Sequence, residues 1–349
     1  MKNRVKASNN SVGRAVTSVE VARLAGVSQA TVSRVFSANN LVADETTAKV
    51  RQAARTLGYQ PNAIARSLIT RRTDMIGIVM AEITSPFYPY VLEKITQRLH
   101  ESGKRVLLFT TGPDDDVDET LQDVLKYQVD GLIVANATLS SALVRECAKR
   151  GTPLMLFNRY VRGAQASAVC CDNVAGGQLV ADLLIQAGHK RLAYIAGKAN
   201  TSTNVDRERG FRERLQELAY GPFLREAGEY TYESGYAAAK RLLNRDDPPD
   251  AIFCANDITA LGALDAARDL GVAIPSDLSI VGFDDIPAAS WTAYLLTTVR
   301  QPVNTMIDMS VRLLLERIVA PETDPVTTFV PGKWIQRNSA RVAPASEAQ

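Results

Sequence analysis

Cysteine and histidine are scarce in this chain of 349 residues. It has two histidines and four cysteines, and no two cysteines form a CxxC pair. The cysteines stand in apolar stretches, so we interpret them as reduced core residues rather than disulfide partners or metal ligands. We therefore expect no metal site, and a Ser-His-Asp triad has little to build on.

Long apolar runs and nucleotide-binding signatures are also missing. No apolar run could span a bilayer, and the polar N-terminus lacks the apolar segment of a signal peptide. The chain has no GxGxxG after a strand, no GxxxxGK[ST] and no GxSxG, and its few histidines offer few general bases. These absences predict a cytoplasmic protein that is not an enzyme and that has neither a cofactor nor a membrane partner.

Charge is unevenly distributed. Residues 1–72 hold 12 Lys and Arg against 3 Asp and Glu, a net charge of +9, whereas the remainder holds 28 against 35, a net charge of −7. A basic segment on an acidic body predicts that the N-terminal part alone meets a polyanion.

The basic segment contains a helix-turn-helix pattern, TSVEVARLAGVSQATVSRVF, at residues 17–36. Thr17 or Ser18 is placed to cap a first helix, Gly26 supplies the turn, and Ser28 caps a second helix. We expect the first helix to use the apolar residues Val19, Val21, Ala22, Leu24 and Ala25. We expect the second to turn Ala30, Val32, Val35 and Phe36 inward and Gln29, Thr31, Ser33 and Arg34 outward.

The outward side chains suit a DNA major groove. Arg34 can bridge O6 and N7 of guanine, Gln29 can pair with adenine, and Thr31 or Ser33 can hold phosphates. The alternative is an ordinary helical hairpin with a solvated face. A third helix, from Asp44 to just before Gly58, would close a small core through Ala48, Val50, Ala53, Ala54 and Leu57.

Beyond this headpiece the sequence predicts a linker and a large core. Residues 62–72 form either a short helix capped by Asn62 or a plain linker, and residues 1–15 and 341–349 are expected to be disordered tails. The helix-turn-helix domain then spans 16–61 and the core 73–340. Apolar strands are predicted at 75–81, 105–111, 131–136, 153–158, 191–197, 251–256 and 278–283.

Near-continuous apolar strands that alternate with helices indicate parallel sheets covered on both faces, and two series of them indicate two similar lobes. We expect lobe 1 to comprise about 73–174 and 298–327, and lobe 2 about 175–297 and 328–340. Ligands collect at the carboxyl ends of such strands, which here fall at 85–89, 158–160, 200–210, 255–257 and 283–285.

These stretches are rich in aromatic, amide, carboxylate and guanidinium groups, which suit a polyhydroxylated ligand. Each residue also has a plain structural alternative. Asn256 and Asp284 could cap helices, and Phe87 and Tyr88 could pack in an interface.

Several motifs, in this order along the chain, resemble the lactose-repressor (LacI/GalR) family of bacterial transcription regulators across roughly 16–340. They are SVEVARLAGVSQATVSRVF, LGYQPNAIARSL, IGIVMAEITSPFYP, CCDNVAGG, CANDITALGAL, and VGFDDIPAASW followed by LTTVRQP. The resemblance implies an all-α helix-turn-helix headpiece plus an α/β core of two doubly wound parallel-sheet lobes, similar to periplasmic binding proteins. It also implies a ligand-responsive regulator, most often a repressor, in the cytoplasm and associated with the nucleoid.

The resemblance places DNA contacts residue by residue. Gln29, Ala30 and Arg34 would face operator bases, and Leu68 would wedge into the minor groove from a hinge helix and bend the duplex. Two hinge helices imply a homodimer on a pseudo-palindromic operator. Phosphate, near-groove or backbone contacts would come from Thr17, Ser28, Thr31, Ser33, Asn39, Tyr59 and Asn62.

The resemblance also implies an effector site in the cleft at the carboxyl ends of these strands. Asn158 stands where many sugar-binding members have aspartate, and Thr201-Ser202-Thr203 replaces bulkier or charged residues, so the effector and the sign of its effect stay open.

The chain ends without a heptad segment, so we expect a dimer rather than a tetramer. The rival interpretations are a solute-binding protein of a transporter and an enzyme on the same scaffold. The expected effector-binding residues are Phe87, Tyr88, Asn158, Arg207, Tyr230, Asn256 and Asp284.

Overall fold

The computed structural model describes residues 16–36, 42–60, 72–81, 83–112, 116–136 and 140–341. The chain divides into two compact units, a headpiece that ends at Thr73 and a core that begins at Asp74. Three residues expected to contact DNA, Asn39, Asn62 and Leu68, lie outside the described residues.

Three helices form the headpiece: α1 (Ser18–Ala25), α2 (Gln29–Val35) and α3 (Asp44–Leu57). Thr17 caps α1 in a capping box, because its backbone N–H donates to Glu20 Oε2 at 2.7 Å while its hydroxyl accepts from the Glu20 N–H. Gly26 follows with a φ of 67°, a conformation that glycine adopts without strain. Ser28 caps α2, so the expected helix-turn-helix is confirmed.

The headpiece core is smaller than the apolar pattern suggested. Val19 and Leu24 are 47% and 54% exposed, and Ala30 and Ala48 are also exposed, so the expectation that apolar residues there face inward is wrong. Helices α1 and α2 have only about two turns each. A helix that packs against its neighbours on one side buries only one narrow stripe of its surface. The buried set is Val21, Ala22, Val32, Val35, Val50, Ala53 and Ala54, with Thr47 beside them.

Lobe 1 of the core is built on a six-stranded parallel sheet in the order β11-β5-β4-β3-β1-β2. The continuous burial of β1 and β3 shows that helices cover both faces. Its elements are β1 (Met75–Ala81), α4 (Phe87–Glu101), β2 (Arg105–Thr111), α5 (Val117–Leu125), β3 (Gly131–Ala135), α6 (Ser141–Lys149), β4 (Leu154–Phe157) and β5 (Ser167–Cys171), joined later by α11 (Val303–Val319) and β11 (Thr327–Val330).

Lobe 2 repeats this design in the order β12-β10-β9-β8-β6-β7, in which the β10–β12 pair alone is antiparallel. Its elements are α7 (Asn173–Gln186), β6 (Leu192–Ile195), α8 (Ser202–Glu217), β7 (Leu224–Glu226), α9 (Tyr232–Leu243), β8 (Ala251–Cys254), α10 (Asp257–Asp269), β9 (Ser279–Asp284), a 3-10 turn (Pro287–Ser290), β10 (Thr297–Arg300) and β12 (Lys333–Ile335).

All seven expected strands are present, with small differences at their ends, and two lobes of parallel sheet are confirmed. The expected lobe boundaries differ from sheet membership by a few residues. Thr297–Arg300 pairs with β9 in the second sheet, and Thr327–Val330 pairs with β5 in the first. The chain therefore passes between the lobes after β5, after β10 and between β11 and β12.

Glycines set the distance between α7 and α8, and α8 carries site residues. A Cβ on Gly177 would lie 2.3 Å from the Arg207 carbonyl oxygen and 2.8 Å from the Phe211 nitrogen. Both neighbours are backbone atoms, which cannot rotate away as a side chain can. The two helices therefore approach as closely as they do because position 177 has no side chain.

We expect Gly177→Ala to lower the free energy of unfolding by at least about 3 kcal/mol, the upper end of the range for overpacked cores. Urea denaturation of the purified chain measures this. The matched control is Gly221→Ala, because a Cβ on Gly221 would meet no atom within 4 Å. Equal unfolding midpoints for the two variants would show that α7 and α8 are not held by this contact.

Candidate functional site

The headpiece presents the outer face of α2 to solvent. Val32 and Val35 anchor the helix, while Gln29, Ser33 and Arg34 are exposed. Gln29 Nε2 donates to Ser18 Oγ at 3.0 Å, which ties the start of α2 back to α1. A short anchored helix with amide, hydroxyl and guanidinium groups on its free face can enter a major groove.

The other expected DNA contacts have structural roles as well. Ser28 Oγ accepts the Thr31 N–H at 3.2 Å and lies 2.9 Å from Thr31 Oγ1, so both hydroxyls sit at the N-terminus of α2, where anions bind favourably. Tyr59 is half-buried, with its ring centroid 5.9 Å from that of Phe36. Ala30 is exposed, as an operator-facing residue must be.

In the core, one cavity between the lobes collects all seven residues expected to bind an effector. Its volume is about 40 Å³, room for about one water molecule and far below the roughly 300 Å³ of a small-ligand pocket. A sugar can therefore enter only if the lobes or the lining side chains move apart. Lobe 1 supplies Ser85, Phe87, Tyr88, Asn136, Asn158 and Arg159, and lobe 2 supplies Thr203, Arg207, Tyr230, Asn256 and Asp284.

The topology explains why these residues meet. In lobe 1, β1 and β3 are neighbours although β2 lies between them in the chain, and this reversal of strand order opens a crevice at their carboxyl ends. Ser85 follows β1 and Asn136 follows β3. In lobe 2 the crevice lies between β6 and β8, whose following segments carry Arg207 and Asn256. The cavity is formed where the two crevices face each other.

Arg207 and Asp284 form the buried charge pair at its floor. Arg207 is 2% exposed, and its Nη2 donates to Asp284 Oδ1 at 3.2 Å while its Nε donates to Asn173 Oδ1 at 2.8 Å. Its Nη1 donates to the Ala255 carbonyl, and its guanidinium carbon lies 3.7 Å from the centroid of the Phe283 ring. The guanidinium is thus fixed in one orientation.

Asp284 is held by a second donor, Gln301 Nε2, which also reaches Oδ1, at 2.7 Å. Among the described residues, no hydrogen bond is made to its other carboxylate oxygen, so that oxygen is available to a ligand. Burial raises the pKa of Asp284, and the Arg207 charge opposes this. A ligand hydroxyl could therefore donate to Asp284 Oδ2 beside the Arg207 charge.

Backbone strain is concentrated around the cavity. Asn136, Asn158 and Tyr230 have φ values of 58°, 63° and 62°, and Asp284 has a φ of 122°. Residues with a side chain avoid these conformations, which persist where the surrounding structure imposes them and cluster at ligand sites. The strain is consistent with a site whose side chains are aimed by the backbone.

The wall from lobe 1 is polar and partly unsatisfied. Arg159 Nη2 donates to Asn136 Oδ1 at 2.6 Å, and Asn136 Nδ2 donates to the Ala81 carbonyl at 3.0 Å. Asn158 is 3% exposed, and its Oδ1 has no hydrogen-bond partner in the part of the chain that the structure describes. Burial raises the pKa of Tyr88 to about 12, so its phenol stays neutral. Groups without partners in a buried site favour a polar ligand.

Asn256 serves both roles that the sequence left open. Its Oδ1 accepts the Thr259 N–H at 3.1 Å and so caps α10, while the residue also lines the cavity. Asp284 caps no helix. Tyr230 OH lies 3.0 Å from Thr203 Oγ1 and 3.3 Å from Thr201 Oγ1, so these two threonines hold the ring of Tyr230 in place.

Four cavity residues were not among the expected ones: Ser85, Asn136, Arg159 and Thr203. Each stands at or just beyond the carboxyl end of a predicted strand or in a stretch already noted as site-like, so the positional rule itself could have included them. Nothing in the sequence distinguishes a side chain that turns into the cleft from a neighbour that turns away.

Asp257, at the start of α10, is a fully buried carboxylate beneath the site. Its Oδ2 accepts the Ile286 N–H at 2.8 Å, and its Oδ1 accepts from the Thr298 hydroxyl. Burial raises its pKa from 3.8 to about 7, and the nearby Asp284 adds to this. The residue therefore links α10 to the start of the loop after β9, at Ile286, and to β10, at Thr298.

A raised folded-state pKa predicts a definite pH dependence. Between about pH 4 and pH 7 the folded chain holds a proton on Asp257 that the unfolded chain has lost, so its contribution to stability is complete below pH 4 and is lost as pH rises towards 7. Asp257→Asn should reduce this slope by up to about 1.4 kcal/mol per pH unit, measured by urea denaturation at several pH values. The control is Asp246→Asn, which removes an exposed carboxylate. The same slope in both variants would contradict the assignment.

The described part of the chain holds no group of three or more His, Cys, Asp or Glu side chains placed to bind a metal ion. None of its helices is long and apolar enough to cross a membrane.

Comparison with known proteins identifies both units. Residues 19–62 match the model of bacterial regulatory proteins of the lacI family, and residues 181–340 match that of a periplasmic binding protein-like domain. Similar relatives include the HTH-type transcriptional regulator CelR of Thermobifida fusca, with 36% identity over 91% of this chain and 96% of the relative, and the HTH-type transcriptional regulator GalS of Salmonella typhimurium, with 34% identity over 86% and 89%.

Solved structures agree. The CelR–cellobiose complex superposes with a TM-score of 0.71 at 34% identity, covering 93% of this chain and 99% of that one. The lac repressor dimer bound to operator and the anti-inducer ONPF gives a TM-score of 0.85 at 25% identity, with the same coverage. The relatives are transcriptional regulators rather than enzymes. The chain therefore belongs to the lacI family of bacterial regulatory proteins.

Proposed function

We propose that this chain is a ligand-responsive, sequence-specific transcriptional repressor that binds a pseudo-palindromic operator as a homodimer. It senses a sugar-like metabolite in the cavity between its lobes. The observation that carries the proposal is the cavity itself, because both lobes supply its walls and a buried Arg207–Asp284 pair offers an open carboxylate oxygen to a ligand. The cellobiose complex of CelR supports a sugar as the ligand class.

The small cavity suggests how binding is transmitted. A ligand larger than about 40 Å³ needs the lobes or the lining side chains to move apart, and in this proposal the lobes move. A change in the angle between the lobes would alter the spacing of two paired cores and with it the affinity of the dimer for its operator. A coupling free energy of about 1–3 kcal/mol changes operator affinity about 5- to 150-fold. A ligand that favours the released form is an inducer, and one that favours the bound form is a corepressor.

The headpiece separates this proposal from its rivals. A solute-binding protein or an enzyme has no use for a basic helix-turn-helix with an exposed polar face on α2. A regulator of this kind acts at the chromosome, so we place it in the cytoplasm with the nucleoid.

A thermal-shift screen of the full-length chain tests the sensing function. Sugars, sugar acids, sugar phosphates, polyols and purines are compared at millimolar concentration, since a ligand that binds only the folded chain raises stability by RT ln(1 + [L]/Kd). We expect a stabilising ligand whose effect is lost in both Arg207→Ala and Asp284→Ala. A shift that survives in both variants would place the ligand outside the cavity and contradict the proposal.

A further inference from the structure

The charged side chains of the cavity do not balance. Three of them line it: Arg159, Arg207 and Asp284. Arg207 and Asp284 form an ion pair at 3.2 Å, which leaves Arg159. In the described ranges Arg159 forms no ion pair, and its Nη2 is held by the neutral amide oxygen of Asn136. The cavity therefore carries one positive charge with no opposing carboxylate.

The other carboxylate of the β9–β10 loop, Asp285, is paired elsewhere. Asp285 Oδ2 accepts from Arg300 Nε at 2.5 Å, and Asp285 Oδ1 accepts from Arg337 Nη2 at 2.7 Å, so both of its oxygens are engaged by arginines. The neighbour of Arg159 in the chain is Asn158, an amide where a carboxylate would have supplied the missing charge. The core as a whole is acidic, so this local excess of positive charge runs against its average.

Arg159 is also held in place rather than free to swing away. Asn136, which accepts its Nη2, is itself anchored by donation to the Ala81 carbonyl at 3.0 Å. Among the described residues, Arg159 Nε is buried without a hydrogen-bond partner, and so is Asn158 Oδ1. A half-buried guanidinium kept without a counter-charge is costly unless a ligand supplies one.

We infer that the effector carries an anionic group, a carboxylate or a phosphate, that pairs with Arg159, together with hydroxyls that donate to Asn158 Oδ1 and Asp284 Oδ2. The ligand class is thus a sugar acid or a sugar phosphate rather than a neutral sugar. This inference rests on the proposed function, because it names the ligand of the same cavity. It assigns to Arg159 the discrimination between charged and neutral sugars.

The test measures the binding of matched anionic and neutral probes to the full-length chain by thermal shift and titration calorimetry. The carboxylate arm compares D-glucuronate with D-glucose and D-galacturonate with D-galactose. The phosphate arm compares D-glucose 6-phosphate with D-glucose and D-ribose 5-phosphate with D-ribose. We expect at least one anionic member to bind about 10-fold or more tightly than its neutral parent, since a charged hydrogen bond contributes more than a neutral one.

Variants assign the effect to one side chain. Arg159→Gln keeps an amide donor for Asn136 but removes the charge, and we expect it to weaken the anionic member about 10- to 100-fold and the neutral parent only a few-fold. The matched control is Arg162→Gln, which removes the same charge from an exposed position outside the cavity and should leave both affinities in place.

Three outcomes overturn the inference. They are a neutral parent that binds as tightly as its anionic partner, an equal loss for both members in Arg159→Gln, and no binding by any anionic member. Binding of a neutral sugar that Arg207→Ala abolishes, while its anionic partner binds no more tightly, would overturn this inference but retain the proposed function. No binding by either set would count against both.

Discussion

Arg207→Ala is expected to lower the free energy of unfolding by about 3–5 kcal/mol and to abolish effector binding. The substitution removes hydrogen bonds to Asn173, to the Ala255 carbonyl and to Asp284, and it leaves the Asp284 carboxyl buried without its counter-charge. Urea denaturation measures the first effect and thermal shift with the screening ligands the second.

The matched control lies on the same helix. Arg212 makes an ion pair with Glu208 four residues before it, and its side chain is 49% exposed, so Arg212→Ala should cost at most about 1 kcal/mol. If the two alanine variants unfold at the same urea concentration, the Arg207–Asp284 pair is not the anchor described here. Lower stability for Arg207→Ala with unchanged ligand binding would separate a structural role from the proposed one.

Arg34→Ala is expected to remove base discrimination at one position of each operator half-site. One arginine–guanine contact contributes about 1–3 kcal/mol of discrimination, and a homodimer uses it twice, so the loss for the dimer is about 2–6 kcal/mol. The measurement is selection of binding duplexes from a random pool with wild-type and variant protein, followed by fluorescence anisotropy on the selected sequence.

Two other variants test contacts of different kinds, a charge that attracts any DNA sequence and a side chain that inserts into the minor groove. Arg55→Ala removes one positive charge from the exposed end of α3 and should weaken all DNA sequences about equally. If Leu68 inserts into the minor groove, as the family resemblance implies, Leu68→Ala should weaken the specific operator while leaving random DNA nearly unaffected, because such a wedge contributes only on a bent site. An even loss across sequences for Arg34→Ala would remove it from base recognition, and an even loss for Leu68→Ala would argue against the wedge.

Much of the architecture was accessible from local sequence chemistry. Thr17, Gly26, Ser28 and Gly58 stand at helix ends because their side chains or their tolerance of positive φ suit those positions, and the structure confirms each of them. The apolar strands were recognisable because parallel strands are buried on both faces. Of the strands that the sequence pattern did not reveal, β7, β11 and β12 are short and at least partly exposed. Strands β5 and β10 are largely buried, but their sequences, SAVCC and TTVR, lack a continuous run of Val, Ile and Leu.

Side-chain direction was the part that the sequence could not supply. Asn256 and Asp257 are adjacent, yet the first lines the cavity and the second points to the Ile286 N–H beneath it. Arg159 could be placed near the site, but its lack of an ion pair depends on which residues three other strands bring beside it. Likewise Val19 and Leu24 follow a helical pattern, but only the packing of α2 and α3 decides which stripe is covered.

We expect a ligand in the cavity to control affinity for DNA. The most direct measurement is the operator Kd, by fluorescence anisotropy on the selected duplex, with and without a saturating cavity ligand, for wild-type protein and Asp284→Ala. We predict that the ligand changes the wild-type Kd about 5- to 150-fold in one direction and leaves that of Asp284→Ala unchanged. A ligand that stabilises the wild-type core yet leaves its operator Kd the same would contradict the account.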